Sequence, residues 1–328
     1  MHRRDFITLI GGAAAGWPLV ARAQQAAMPV IGVLSPQSVA TAARNLSALR
    51  KGLLELGYIE GRNVRVEYRF AQGAPERYPA LMAELVALDP AVIIVGSIGA
   101  ILAASKITRT IPLIMFIAAD NPVALGLVES FARPGGNVTG FSLSSDAEII
   151  GKRLELLQEA SPGFSRIGVL ANHVDATADG TLGALPSAAR ALGLDARVYE
   201  VQSEVELEAA FATALRDGIQ ALYVSQTPLF LNRRTEIVAR VASMRLPAIY
   251  FFREFVQSGG LMSYGADLPD VYRRAATYVD KILKGTKPGE LPLQSADKFE
   301  LAINLKAAKT LGLTIAEALL LRADEVIE

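Results

Sequence analysis

Two successive blocks of alternating strand and helix patterns constrain this 328-residue chain more than any other feature. In the first block, short runs rich in Val, Ile and Leu alternate with longer stretches of helical periodicity. Such runs predict strands covered on both faces, and strands separated by helices predict a parallel sheet built from βαβ units. The predicted strands span residues 30–34, 63–70, 92–96 and 112–118, and the predicted helices span 40–56, 78–88 and 98–108.

The same alternation restarts after a segment rich in Gly, Asn and Thr at 133–142. RIGVLAN (166–172) resembles VIGVLSP (30–36), which indicates two structurally similar halves. The second block predicts helices at 148–160, 183–193, 204–216 and 233–245 and strands at 166–172, 196–201, 221–226 and 247–252. A strand at 261–265, an amphipathic helix at 270–285, a strand entering a helix, and a last helix through ALLLRADEVIE complete the chain.

The first 23 residues predict a cleaved export signal and not a part of the fold. A twin arginine at positions 3–4 precedes an apolar run at 6–20, and an A-x-A site follows at 21–23. The run is shorter than a bilayer-spanning helix needs, and RRDFI resembles the twin-arginine export signal. A buried N-terminal helix is the alternative, which the glycine pair and the proline within the run disfavour. We therefore expect a periplasmic protein.

Composition and missing motifs disfavour several classes of protein. Lys plus Arg and Asp plus Glu both total 33, so no basic excess points to nucleic acid. The chain has no Cys, and His173 is the one histidine beyond the export signal, so neither a three-histidine zinc site nor a Cys–His pair can form. No nucleophile elbow, Walker A loop or dinucleotide fingerprint is present. We expect a binding protein without a cofactor, and an exported enzyme that uses carboxylates is the less favoured alternative.

The ends of the predicted strands define a candidate ligand cleft. In open α/β sheets, ligands bind beyond the carboxyl ends of the strands, and two facing sheets would form a cleft that closes by hinge motion. The residues just past each strand are therefore candidates for ligand contact. In the first half they are Ser35, Gln37, Ser97, Ile98, Gly99 and Asp120, and in the second half Asn172, His173, Ser225, Gln226, Thr227, Phe252 and Arg253.

Several stretches resemble the ABC-transporter substrate-binding proteins of the TrpX-like family, and the likeness covers nearly the whole chain beyond the signal. These stretches are GSIGAILAASK, DNPVALGLVESFARPGGNVTG, KRLELLQE, RLPAIYFFREFVQSGGLMSYG, YRRAATYVDKILKGTKPGELPLQ and KFELAINLKAAKTLGLTI. The resemblance implies a type I periplasmic-binding-protein fold, in which a three-segment hinge joins two Rossmann-like lobes. It also implies delivery of a small solute to an ABC permease in the inner membrane. Some relatives take aromatic amino acids, and ligands vary within the family.

With three crossings between lobes, we expect an N-terminal lobe of residues 28–142 plus 258–288. The C-terminal lobe would then comprise residues 143–257 plus 289–328. We expect a monomer that captures a carboxylate-bearing ligand, either an aromatic or large aliphatic amino acid or an aromatic acid. A purine-like or other small solute is the alternative ligand.

Ser97 is the candidate for the carboxylate of such a ligand. The flanking glycines leave backbone N–H groups uncovered at the start of a predicted helix, and a helix N-terminus beside a hydroxyl suits a carboxylate. The amides of Ile98 and Gly99 would complete this site. The alternative is that Ser97 only caps the helix, and the two roles are compatible because a cap can share its donors with a ligand.

Two further candidates follow strand ends. Asp120 could receive an α-amino group. Alternatively, Asp120 or Asn121 caps a helix that begins near Pro122. For Asp120 alone, the role as a cap is slightly favoured. His173 is either a polar ligand contact or a solvated loop residue.

Segment YFFREFVQSGG (250–260) concentrates four aromatic residues in a chain that is 7% aromatic. Strand alternation predicts that Tyr250 and Phe252 face one side and Phe251 the other. Most aromatics on such a strand belong to the core, so Phe252, near the strand end, is the one expected at the cleft.

The same region offers a cation and a second aromatic candidate. Arg253 would grip a carboxylate with two parallel hydrogen bonds, or form an ion pair with Glu254 or another acid. Tyr264 is a candidate to stack on the ligand from the hinge. Gly259 and Gly260 would give a crossing segment its backbone freedom.

Overall fold

Two separate β-sheets organise the chain in a computed structural model. The structure describes residues 28–117, 122–143, 147–172 and 181–328. Asp120, His173 and the predicted export signal lie outside these described residues. The two-lobe α/β fold with mainly parallel sheets that the sequence predicts is confirmed.

The first lobe contains a six-stranded parallel sheet. Its strands are β1 (Val30–Ser35), β2 (Arg65–Phe70), β3 (Val92–Val95), β4 (Leu113–Ile117), β5 (Val138–Ser142) and β11 (Gln294–Ser295). Its helices are α1 (Val39–Glu55), α2 (Tyr78–Val86), α3 (Ile98–Ile107) and α10 (Leu268–Leu283). The strand order is β11-β5-β4-β3-β1-β2. One core packs α1 and α10 on the sheet and another packs α2 and α3, so both faces are covered.

The second lobe contains a seven-stranded sheet in the order β13-β12-β10-β9-β8-β6-β7. These strands are β6 (Arg166–Ala171), β7 (Asp195–Glu200), β8 (Ala221–Val224), β9 (Ala248–Tyr250), β10 (Met262–Ala266), β12 (Phe299–Asn304) and β13 (Glu325–Ile327). The helices are α4 (Ala147–Ala160), α5 (Thr181–Ala191), α6 (Glu204–Arg216), α7 (Pro228–Asn232), α8 (Arg234–Ser243), α9 (Arg253–Gln257), α11 (Leu305–Leu311) and α12 (Glu317–Leu320). Strands β10 and β12 are antiparallel.

Strand β5 falls in the glycine-rich segment for which the sequence predicts no strand. Gly140 has φ +139°, a backbone conformation that L side chains rarely adopt, and an added Cβ would lie 2.1 Å from the Met115 carbonyl oxygen. A glycine is therefore required for β5 to pair with β4. Because glycine has no side chain, it also interrupts the alternating pattern of side chains by which a strand is predicted.

Two of the three crossings differ in position from the prediction. Residues 258–288 were expected in the first lobe, but β10 pairs with β9 and β12 in the second sheet. Gly259 and Gly260 therefore precede β10 inside the second lobe and do not lie in a crossing. Residues 289–328 were expected in the second lobe, but β11 pairs with β5 in the first sheet. On this pairing we propose that the second crossing lies near Asp267 and the third between β11 and β12.

Backbone hydrogen bonds join the crossing segments to each other. The Ala296 N–H donates to the Ser142 carbonyl over 2.8 Å, which links the third crossing to the end of β5. The Asp267 N–H donates to the Lys298 carbonyl over 3.0 Å, which links the second crossing to the third. The segments that connect the lobes therefore lie side by side.

The end of the chain forms a strand where a helix was predicted through residue 328. Helix α12 ends at Leu320, and β13 then pairs in parallel with β12. Asp324 fixes this turn, because its N–H donates to the Leu301 carbonyl and its carboxylate accepts from the Leu301 N–H, each over 2.8 Å. Such a partner, 23 residues away in sequence, has no local signature.

Candidate ligand-binding site

A cavity lies between the two lobes, at the carboxyl ends of β1, β3, β8 and β9. It encloses about 610 Å³, its solvent-open mouth included. The described residues that line it are Pro36, Gln37, Gly96, Ser97, Ile98, Phe116, Leu143, Leu268 and Tyr272 from the first lobe and Gln226, Pro228, Phe251 and Phe252 from the second. None of these lining residues carries a charged side chain.

Aromatic rings form much of the cavity wall. Phe116 and Tyr272 pack together with ring centroids 4.4 Å apart. Phe251 and Phe252 make an edge-to-face pair with centroids 4.8 Å apart and an interplanar angle of 76°. Each lobe therefore contributes a pair of rings, and such surfaces suit a flat apolar group.

Ser97 caps helix α3, as one of the two compatible interpretations of the sequence predicts. Its hydroxyl oxygen accepts from the Ala100 N–H over 3.2 Å, and the hydroxyl donates to the Tyr78 oxygen over 3.3 Å. Ile98 also lines the cavity, so the first turn of α3 reaches it. Gly99 lies against the Tyr78 ring, where an added Cβ would be 3.1 Å from Cε2, and it is not among the lining residues.

Gln37 lines the cavity with an amide that makes no hydrogen bond within the described residues. The amide oxygen is buried and lacks a partner, although the side chain as a whole is 7% exposed. The neighbouring Ser35 was also a candidate, but its hydroxyl accepts from the Gln37 N–H over 3.2 Å and does not line the cavity. Ser35 therefore orients the loop that presents Gln37.

Of the described second-lobe candidates after β6 and β8, one lines the cavity and three do not. Gln226 lines the cavity. Thr227 caps α7, because its buried hydroxyl accepts from the Phe230 N–H over 3.2 Å. Ser225 is buried outside the cavity, and its hydroxyl has no partner within the described residues. Asn172 donates from its side-chain amide to the Val201 carbonyl over 2.8 Å, which ties the end of β6 to the end of β7.

Strand β9 ends at Tyr250, two residues before the predicted end of the strand. Tyr250 is buried in the second-lobe core and stacks on Phe255, with centroids 4.5 Å apart. Because strand alternation stops there, Phe251 and Phe252 both line the cavity. The predicted separation of Phe251 and Phe252 onto opposite sides is therefore wrong, and Phe252 lines the cavity at the position where a ligand contact was predicted.

Arg253 and Tyr264 do not line the cavity. The Arg253 guanidinium is 3.4 Å from the Glu300 carboxylate and also pairs with Glu325. The ion pair that the sequence left as the alternative is thus the observed state. Tyr264 lies on β10 and stacks on Phe299 with centroids 5.7 Å apart, and it packs against the second-lobe core.

The sequence interpretation missed Phe116, Leu143, Pro228, Leu268 and Tyr272 on the cavity lining and Arg153 behind it. Tyr272 belongs to the strongly amphipathic helix α10, and the periodicity of this helix predicts a core position for its ring. Arg153 lies on the apolar face of α4, between the buried Ile150 and Leu157. A cation within an apolar helical stripe is the signal that could have identified Arg153.

Arg153 is 1% exposed and connects the cavity wall to strands β8 and β10 of the second lobe. Its Nε donates to the Tyr264 carbonyl and one Nη donates to the Tyr223 hydroxyl, both over 2.7 Å. Its guanidinium lies 4.8 Å from the centroid of the Phe251 ring. The other Nη is buried without a partner, and no carboxylate in the described part of the chain pairs with it.

A row of side chains along α1 contacts the second lobe outside the cavity. The Ser38 N–H donates to the Asn232 side-chain oxygen over 3.3 Å. Arg234 donates to the Thr41 hydroxyl over 3.3 Å. Arg44 pairs with Glu300 over 3.3 Å. Ser38, Thr41 and Arg44 are spaced by three residues and share one side of the helix start, and we call these three contacts the α1 seam.

The fold and the cavity between lobes define a substrate-binding protein of the two-lobe type. A family model described as ABC transporter substrate binding protein matches residues 28–327, so the chain belongs to that family. The resemblance found in the sequence is thereby confirmed. Within the described residues, no helix is both long and apolar enough to cross a membrane.

Named relatives share most of the chain. A tyrosine-binding protein of Clostridioides difficile (strain R20291) is 29% identical over 264 residues, which cover 80% of this chain and 75% of the relative. The crystal structure of an ABC domain from Streptococcus pneumonia in complex with L-Trp is 26% identical, with a TM-score of 0.84 over 91% of this chain and 99% of that one. A conserved domain protein of Vibrio cholerae O1 biovar El Tor is 27% identical, with the same TM-score and coverage.

Proposed function

We propose that this protein is the exported solute-binding component of an ABC importer and captures a small aromatic ligand with a carboxylate between its lobes. The observation that carries this proposal is the aromatic, uncharged lining of the cavity between the lobes, in the part of the chain described. A flat group fits between the ring pairs of the two lobes. Amide and hydroxyl groups beside the rings can orient a polar end.

The first turn of α3 is the proposed site for the ligand carboxylate. The amides of the first turn have no acceptor within the helix itself, and the positive end of the helix dipole favours an anion there. Ser97 and Ile98 bring this turn to the cavity. Capping of α3 by Ser97 is compatible with this role, because the cap uses the Ala100 amide and leaves the two preceding amides.

An aromatic amino acid is the ligand class that the relatives support. One relative is described as tyrosine-binding and another was crystallised with L-Trp. In this chain, the amide oxygen of Gln37 is a buried acceptor without a partner. It would accept a hydrogen bond from the ligand ammonium group.

Closure of the lobes is the proposed means of capture, and the α1 seam supports it. The three seam contacts join the lobes along α1 and would break when the lobes separate. Ligand contacts from both lobes would favour the closed arrangement over the open one. The closed protein would then present the surface that the permease recognises. Export through the predicted signal at residues 1–23 places this capture in the periplasm.

A thermal-unfolding panel tests the proposed ligand class. The protein is unfolded and refolded to remove bound ligand, then heated with aromatic amino acids, aliphatic amino acids, aromatic acids, purines and sugars. A ligand present at one hundred times its Kd adds about 2.7 kcal/mol to stability, which corresponds to a rise of a few degrees in Tm. We expect this rise with the aromatic amino acids. A folded protein that responds to none of them, or only to sugars, would contradict the proposal.

Replacement of a wall ring tests the location of the site. Phe252→Ala removes one ring of the second-lobe pair, and we expect Kd for an aromatic amino acid to rise about fivefold to tenfold. Phe131→Ala is the control, because Phe131 is 37% exposed and lies outside the cavity lining. Calorimetric titration measures both Kd values. Equal Kd values for the two variants would show that the ligand binds outside this cavity.

A further inference from the structure

The hydroxyl of Tyr272 lies in the cavity and has no hydrogen-bond partner within the described residues. Tyr272 is on α10, and its side chain is 7% exposed. Its ring packs against Phe116, which fixes the direction of the hydroxyl. Tyr272 lines the cavity, so its hydroxyl is placed to donate a hydrogen bond to a polar group of the ligand.

This hydroxyl lies close to the residue that precedes the start of α3. A Cβ added to Gly96 would lie 3.3 Å from the Tyr272 oxygen and 2.8 Å from Pro36 Cδ. Gly96 directly precedes the cap Ser97, so the Tyr272 hydroxyl approaches the same space as the first-turn amides. Any side chain at position 96 would occupy part of that space.

Ser97 is less available than Tyr272 as a donor. The single Ser97 proton is donated to the Tyr78 oxygen, and the Ser97 oxygen accepts from the Ala100 N–H. The Tyr272 hydroxyl makes neither of these two kinds of hydrogen bond within the described residues. Burial raises the pKa of the Tyr272 phenol above its usual range, so the group stays protonated and can donate.

We propose that Tyr272 is a specificity-determining residue that donates its hydroxyl proton to the ligand carboxylate, together with the first-turn amides of α3. The result is an anion subsite without a charged side chain among its described members. This inference rests on the proposed function, since it assigns the polar end of the same ligand. On the opposite lobe, Arg153 is a buried cation whose guanidinium lies 4.8 Å from the centroid of the Phe251 ring.

The test compares acids with their neutral amides. We would titrate the refolded protein with L-tryptophan, L-tyrosine, L-tryptophanamide and L-tyrosinamide, and repeat the titrations with Tyr272→Phe. A hydrogen bond to a charged group is worth about tenfold or more in affinity. We therefore expect Tyr272→Phe to weaken binding of the acids about tenfold and to leave binding of the amides nearly unchanged.

Tyr278→Phe is the matched control on the same helix. The Tyr278 hydroxyl donates to the Pro292 carbonyl and not to the cavity, so its loss should leave the ratio of acid to amide affinity unchanged. Equal weakening of acids and amides by Tyr272→Phe would show a structural role only and overturn the inference. So would a wild-type protein that binds acids and amides equally well, although cleft binding would then stand. A wild-type protein that binds none of the four ligands would overturn the proposed function together with the inference.

Discussion

Arg153 shows how one side chain can hold the cavity wall and two strands of the second sheet in a fixed relation. Its guanidinium donates in two directions, to the Tyr264 carbonyl on β10 and to the Tyr223 hydroxyl on β8. It also lies over the Phe251 ring, which lines the cavity. The charge is buried without a carboxylate in the described part of the chain, so hydrogen bonds and the ring face compensate for its lost hydration.

Arg153→Lys should destabilise the protein although the charge is kept. A lysine ammonium lacks the rigid fork that serves both acceptors, so one buried acceptor would lose its donor. The expected loss in the free energy of unfolding is about 1 to 3 kcal/mol, measured by urea denaturation. Arg166→Lys is the control, because Arg166 donates to the Gly218 carbonyl at an exposed position. A loss as small as that of Arg166→Lys would contradict the role given to Arg153.

For single residues, the local sequence predicts helix caps and strand ends. It does not predict a contact whose partner lies far away in the sequence. The cap at Ser97 and the approach of Gln37, Gln226 and Phe252 to the cavity follow from positions just past strands. The ion pairs of Arg253 depend on acids 47 and more residues further along the chain, which no local pattern reveals. Tyr272 was missed because a cavity-facing residue and a core residue produce the same helical periodicity.

Among the elements, β5 depends most strictly on a single residue. Gly140→Ala should lower the free energy of unfolding by about 3 kcal/mol or more, because the new Cβ would collide with the Met115 carbonyl and the backbone conformation would be strained. The matched control is Gly151→Ala in α4, where nothing lies within 4 Å of an added Cβ. That change should raise stability by about 0.5 to 1 kcal/mol. Denaturation midpoints of both variants check the prediction, and a tolerated Gly140→Ala would contradict it.

Element type was predictable from periodicity, and lobe membership was not. The buried strands of both sheets and the amphipathic helix α10 are close to their predicted positions, because hydrophobic patterning sets them. Strand β10 looks the same in sequence whichever sheet it joins. Its pairing with β9 and β12 is settled by tertiary contacts, so the predicted crossings were displaced by several residues.

At the scale of the whole molecule, we expect the affinity for a ligand to depend also on contacts between the lobes that do not touch the ligand. The α1 seam joins the two lobes, and its members are partly exposed. Any free energy that the seam contributes to closure adds equally to the binding of every ligand. The seam should therefore set the general affinity, while the cavity wall and the α3 start set the choice of ligand.

Arg44→Ala combined with Thr41→Val tests this division. Partly exposed contacts contribute about 0.2 to 1 kcal/mol each, so we expect the loss of two contacts to raise Kd about twofold to thirtyfold for every ligand bound, with unchanged ratios between ligands. Arg50→Ala is the control on the same helix, because Arg50 contacts Tyr68 and Glu60 within the first lobe. Altered ratios in the double variant would show that α1 acts on the ligand itself.

The central claim, that an aromatic amino acid binds between the lobes with its carboxylate at the start of α3, is tested most directly by a crystal structure of the complex. The refolded protein would be crystallised with the best binder of the unfolding panel. We predict the aromatic group between the ring pairs of the two lobes and the carboxylate within hydrogen-bond distance of the Tyr272 hydroxyl and the first-turn amides. A ligand bound outside this cavity, or a carboxylate directed away from α3, would contradict the account.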